Sequence, residues 1–157
     1  MKVNQSENVA AVDVEMEGAQ GCKVRWLVGQ EDGAPNFAMR QFEVAPGGYT
    51  PKHHHPYEHE VYVLEGTGVV LEGEVVHAIS PGDVIFVRPD EVHQFRNTGA
   101  VPMKFLCMVP NSAPRPYPVR PECARPNDTT FTTETQRHGD RNREFTAETR
   151  RRGEQSK

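Results

Sequence analysis

The 157-residue chain predicts an all-β sandwich or barrel. Three observations predict it. Short runs rich in β-branched and aromatic residues recur at roughly ten-residue spacing. Gly, Pro, Asn and Asp clusters separate them. No segment shows a convincing helical period. Closure of the sheet on itself is expected, because a barrel or jelly roll removes exposed strand edges.

Residues 1–20 are polar with scattered valines (Val9, Val12, Val14), which fits a loose start with at most one short strand. Lys23–Gly29 is rich in β-formers and reads as a strand. Gln30–Pro35 is a turn cluster. Asn36–Val44 alternates: Phe37, Met39, Gln41 and Glu43 share one side, and Ala38, Arg40, Phe42 and Val44 the other. Pro46-Gly47-Gly48 is expected to turn the chain. A histidine-rich stretch then leads into strand Val61–Leu64. Gly68–Leu71 and Glu74–Ile79 flank Gly73 as a hairpin. After the turn Ser80–Asp83, the apolar run Val84–Val87 reads as a buried strand. His93–Asn97 and Met103–Val109 follow as the last two strands.

Six prolines between Pro110 and Pro126 cannot donate ladder hydrogen bonds, so the domain is expected to span 1–112. Residues 113–157 then form a Pro-rich linker and a low-complexity tail, expected to be disordered. Within it, Phe131–Asp140 returns as Phe145–Glu154, with too few apolar residues to stack as a solenoid. Residues 1–112 hold 8 Lys/Arg against 15 Asp/Glu, a net charge of −7, which disfavours nucleic acid. The opening shows no signal-peptide pattern, and no apolar run reaches the ~18 residues of a membrane span. Cys22, Cys107 and Cys123 are few and far apart and read as free thiols. A cytoplasmic protein is the expectation.

Four of the seven histidines fall between positions 53 and 59. Along a strand, residues two apart point the same way. His53 and His55 therefore share a face, His54 faces away, and His59 has the parity of His55. His93 arrives from another strand edge. Neutral imidazole binds Zn, Cu, Fe, Ni and, less tightly, Mn. The bland alternative is a surface cluster or an embedded tag. It accounts poorly for histidines placed between a Gly-Gly pair and a strand. His53, His55, His59 and His93 are thus expected to converge on one divalent ion.

Gly47-(x5)-His53-x-His55-(x3)-His59-(x6)-Gly66 resembles the first motif of the cupin superfamily. Gly82-(x10)-His93-(x3)-Asn97 resembles the second. Two departures stand out. The usual glutamate position holds His59, with Glu60 adjacent as an alternative ligand. In the second motif, Glu91 stands where glycine is usual. Ala34–Arg40, His55–Gly66, Val87–Asn97 and Phe105–Pro110 are further similar to small single-domain bacterial cupins with a four-histidine manganese site. That resemblance implies a cupin double-stranded β-helix (a jelly-roll barrel), a homodimer, and manganese ahead of Fe, Cu, Ni or Zn. It also implies dioxygenase-like oxidoreductase chemistry, with Arg40, Phe105 and Cys107 lining a substrate pocket.

On that basis the expected function is metal-dependent oxidation of a small organic molecule, with Arg40 holding an anionic group. A metal-dependent isomerase or lyase and a non-enzymatic small-ligand binding module are the alternatives. The parity of Arg40 with Phe42 and Val44 leaves an internal acid as its other possible partner. Cys107 has the alternative of packing as a small apolar residue. Tyr49, Tyr62 and Phe95 read as core or wall, and His77 as a residue without a partner. Glu58 and Glu60 are expected to face solvent.

Overall fold

The structure, a computed structural model, describes residues 1–113. The expected linker and tail, with Cys123 and His138, lie outside the described residues. A 3-10 turn at Ser6–Asn8 precedes nine strands. They are β1 (Val12–Asp13), β2 (Gln20–Val28), β3 (Phe37–Tyr49), β4 (His59–Glu65), β5 (Gly68–Glu72), β6 (Val75–Ile79), β7 (Val84–Val87), β8 (His93–Asn97) and β9 (Met103–Pro110). A second 3-10 turn, Gln30–Asp32, joins β2 to β3. Among the described residues there is no α-helix, and no helix is long and apolar enough to cross a membrane.

The strands form one curled antiparallel sheet in the order β6-β5-β8-β3-β9-β4-β7, with β2 on β3 and β1 on β2. β3 ties the halves together. Its first part pairs with β9 from Phe37 to Val44, and its last residue, Tyr49, pairs with Arg96 of β8. Between them Pro46-Gly47-Gly48 was expected as a turn, but it is an irregularity inside a continuous strand. Gly47 takes φ +74°, and the register to β2 slips between Gln20 and Cys22. A Cβ on Gly48 would meet Gln20 O at 2.7 Å. The glycines therefore let the strand bend sharply against its neighbour, as a bulge does.

The inner face is built by alternation. Ala38, Arg40, Phe42 and Val44 on β3, Val61 and Val63 on β4, and Phe105 and Cys107 on β9 are all buried. Phe42 stacks on Phe105 at 5.2 Å, and Phe105 stacks on Phe95 of β8 at 4.8 Å, linking the two halves through one aromatic column. Asn97 closes the end of β8: its amide donates to Val44 O and Val101 O, and its carbonyl accepts from Gly99 N.

Two other expectations are corrected. β7 is not a buried strand: Val84 is 75% and Phe86 57% exposed, because β7 is a sheet edge that presents only Val87 fully to the core. Nor does the ladder close completely. β6 and β7 are both edges, consecutive in sequence yet not paired, and they flank a cleft of about 370 Å³.

Candidate metal centre

The four histidines are delivered by a strand ladder, a shared bridge and a loop. His59 opens β4 and is held in the ladder opposite Val87. His93 opens β8 and faces His53 across an isolated bridge, with each backbone N–H donating to the other's carbonyl. His55 has no ladder. Its carbonyl accepts from Asp90 N at 2.7 Å. Asp90 adopts φ +62°, a left-handed conformation that aspartate tolerates better than most residues.

The ligand atoms of His53, His55, His59 and His93 lie within 4.8 Å of one another. Nε2 of His55 and Nε2 of His59 are 2.7 Å apart. Metal–nitrogen bonds of ~2.0–2.1 Å put right-angle neighbours roughly 2.9 Å apart and opposite ligands ~4.1 Å apart. The His55–His59 separation is that of neighbouring ligands, whereas a spread of up to 4.8 Å is wider than opposite ligands allow, so the four would draw together slightly around one ion. Nδ1 of His53 donates to Pro51 O and Nδ1 of His93 to Glu91 O, which leaves Nε2 of each unprotonated, with a lone pair that could bind a metal. Burial holds His59 down to about 2 and His93 to about 4, and lowers His55 as well. Arg40 and the neighbouring histidines push the same way on His59. All three imidazoles are thus neutral at pH 7, the form that binds metal.

The chamber beside the cluster is small, about 20 Å³, and is lined by Arg40, Phe42, Thr50, Phe95, Phe105 and Cys107 with His53, His59 and His93. That is room for an ion and little more than one water. The structure therefore brings the expected pocket residues Arg40, Phe105 and Cys107 to the histidines. Arg40 is 4% exposed. Among its partners is the sulfur opposite in the ladder: Nη2 donates to Cys107 Sγ at 3.0 Å. Its guanidinium also lies over Trp26 and Phe42. Burial pushes the Cys107 thiol up, while Arg40 pulls it the other way.

Other residues fall elsewhere. Glu60 sits on the opposite face of β4 from His59, paired with Phe86 and Met108, and is outside the cluster. His54 and Glu58 are exposed. His77 does have a partner: Nε2 lies 2.9 Å from Glu72 Oε2 on the hairpin surface. Tyr62 is exposed rather than core. Sequence reasoning passed over two residues. Thr50 lines the chamber and accepts from Phe95 N through Oγ1. Tyr57 stacks flat on His55. Its place in the short loop between two ligands was the only signal for it.

A jelly-roll of this kind, with histidines from two strand ends, an isolated bridge and a loop gathered together, defines a cupin. A match to the family described as "Cupin domain" covers residues 40–109. The polyketide cyclase RemF from Streptomyces resistomycificus superposes with a TM-score of 0.69 at 36% identity, covering 76% of this chain and 84% of that one. Protein SchB of Streptomyces halstedii is 35% identical over 118 residues, 74% of this chain and 86% of that protein. The 1-methylthio-D-xylulose 5-phosphate methylsulfurylase of Rhodospirillum rubrum is 38% identical over 71 residues, 45% of this chain, which spans only 46% of that protein. The chain belongs to the cupin family.

Proposed function

We propose that this protein is a metal-dependent cupin enzyme that activates an enolisable carbonyl compound, with aldol-type ring closure as its reaction. One observation carries the reading. A guanidinium and neutral imidazoles line a single buried chamber, and no carboxylate is among its lining residues. Such an environment favours negative charge developing on an oxygen. The name of the similar polyketide cyclase supports ring closure as the use made of it.

His53, His55, His59 and His93 would hold the ion. A bound divalent ion would polarise a carbonyl oxygen or acidify a water. Arg40, in the chamber wall, would place its positive guanidinium charge beside an enolate or carboxylate of the substrate. Cys107 holds that guanidinium in place through its sulfur. Phe42, Phe95 and Phe105 keep bulk water from the reacting oxygen and strengthen each charge interaction. The chamber admits only the reacting end of a substrate, so the body of a larger molecule stays outside it.

A dioxygenase-like oxidation is the second reading. The all-nitrogen ligand set supports it, since imidazole suits redox-active Mn, Fe and Cu as well as Zn and Ni. The two part on one assay. Metal-loaded protein is incubated with poly-β-ketone and 1,3-diketone substrates, with and without oxygen. Ring closure forms a C–C bond between the enol carbon and a second carbonyl carbon, giving a product isomeric with the substrate, or lighter by one water where the aldol hydroxyl is then eliminated, in both atmospheres. Products carrying oxygen atoms from O₂, formed only in air, would overturn the cyclase reading in favour of oxidation. The exposed strip of Tyr62, Val84 and Phe86 supports the homodimer as the proposed assembly.

A further inference from the structure

The four histidines are not oriented alike. Those of His53 and His93 are locked by the same device, an Nδ1 donating to the carbonyl two residues upstream. Metal-binding imidazoles depend on such an outer partner to fix ring rotation. Neither His55 nor His59 makes that upstream bond, although Nδ1 of each is buried; the backbone of Tyr57 and of His55 itself lies close enough to the His55 ring to act on it. His59 is constrained anyway by its place in the β4 ladder. His55 sits outside the strands, its backbone anchored by the single hydrogen bond from Asp90 N.

Tyr57 fills that role. Its ring lies 3.7 Å from the His55 imidazole, centroid to centroid, at an interplanar angle of 2°. It also meets His59 edge-on at 5.8 Å. The phenol ring is itself packed against the core, so it is a fixed surface and not a mobile flap. On its far side it shares a small cavity with Arg40 and Trp26. A coplanar ring at van der Waals distance leaves the imidazole free to slide a little but not to tilt or flip. Tilting is the motion that would carry Nε2 away from its partners.

We infer that Tyr57 is the positioning residue of His55, its ring fixing by aromatic stacking the imidazole that lacks the upstream carbonyl bond of His53 and His93. The inference rests on the metal-site reading above. It assigns the ring, and not the hydroxyl, to the task. It also gives the Pro56-Tyr57-Glu58 loop a purpose: three residues return the chain from His55 to His59 while placing one aromatic face on the first ligand.

The test uses the full chain with copper(II) as probe. Affinity is measured by competition with a chelator, and ligand geometry by EPR. Tyr57→Phe keeps the ring and is expected to match the parent in both. Tyr57→Leu removes it and is expected to bind about 10- to 100-fold more weakly, the loss typical of an outer partner, with a shifted and broadened EPR spectrum. A merely structural role would lower the melting temperature of the metal-free protein and leave the spectrum of the bound copper unchanged. Parent-like affinity and spectrum in Tyr57→Leu would overturn the proposal, and so would a loss in Tyr57→Phe as large as in Tyr57→Leu. If Tyr57→Leu does not fold, Tyr57→Gln removes the ring with a side chain that loops accept, and the phenylalanine arm still decides. A parent that binds no copper at all would instead defeat the metal-site reading itself, together with this one.

Discussion

Two sets of histidines in this protein have opposite fates. At the mouth of the inner face, His53, His55, His59 and His93 are drawn together, and the last three are buried. On the β5–β6 hairpin and the loop, His77 and His54 stand in water, and His77 pairs with Glu72. The residue type is the same, so composition alone does not mark the site. Strand parity and burial do. An imidazole stripped of water and surrounded by other imidazoles must stay neutral.

The largest effect expected from this contrast is on metal binding. His59→Ala should lose more affinity than the ~100-fold that removal of an outer partner costs, and His77→Ala should lose none; isothermal titration of both against the parent checks it. Loss of metal by both variants would erase the distinction.

A second contrast is between ligand and frame. Asn97 follows His93 in the same motif yet makes no part of the site. Its side chain satisfies Val44 O, Val101 O and Gly99 N. Asn97→Ala should destabilise the fold by about 3 kcal/mol, since buried polar groups lose their partners, while metal stoichiometry in the folded fraction is kept. Denaturant unfolding and metal analysis together read both quantities.

Acid should separate the sets more gently. His59 and His93 have folded values, about 2 and about 4, below the ordinary 6.5. Between those values and 6.5 the unfolded chain binds more protons than the folded one. Stability of the metal-free protein is therefore flat above about pH 6.5 and falls as pH drops below it. By pH 5 each of these groups costs on the order of 2 kcal/mol. Thermal melts of metal-free protein from pH 8 to pH 5 should show this decline. A His59→Ala melt that declines as steeply as the parent would remove His59 from the account. The smallest effect is expected at His54, where His54→Ala should match the parent in metal titration and melt alike, since its side chain is exposed.

Much of this was legible in the residues. Parity placed Arg40 with Phe42 and Val44 on the inner face, and Cys107 with Phe105, before any contact was visible. The same rule set His59 against Glu60, and the structure puts them on opposite faces of β4. What stayed hidden depended on tertiary context. Pro-Gly-Gly chemistry serves turns and bulges equally, so only the pairing of β3 with two neighbours shows that the strand runs on. A four-residue apolar run does not reveal whether it lies mid-sheet or at an edge, and β7 lies at an edge. Tyr57 belongs to an irregular loop, where no periodicity says which way a ring points.

The central claim is that these four imidazoles hold one divalent ion. Pulsed EPR of the copper(II)- or manganese(II)-loaded protein, combined with metal analysis, tests it most directly. The account predicts one ion per chain and nitrogen couplings from histidine that diminish in His53→Ala, His55→Ala, His59→Ala and His93→Ala in turn. A full complement of metal with unchanged histidine couplings in His59→Ala would contradict it.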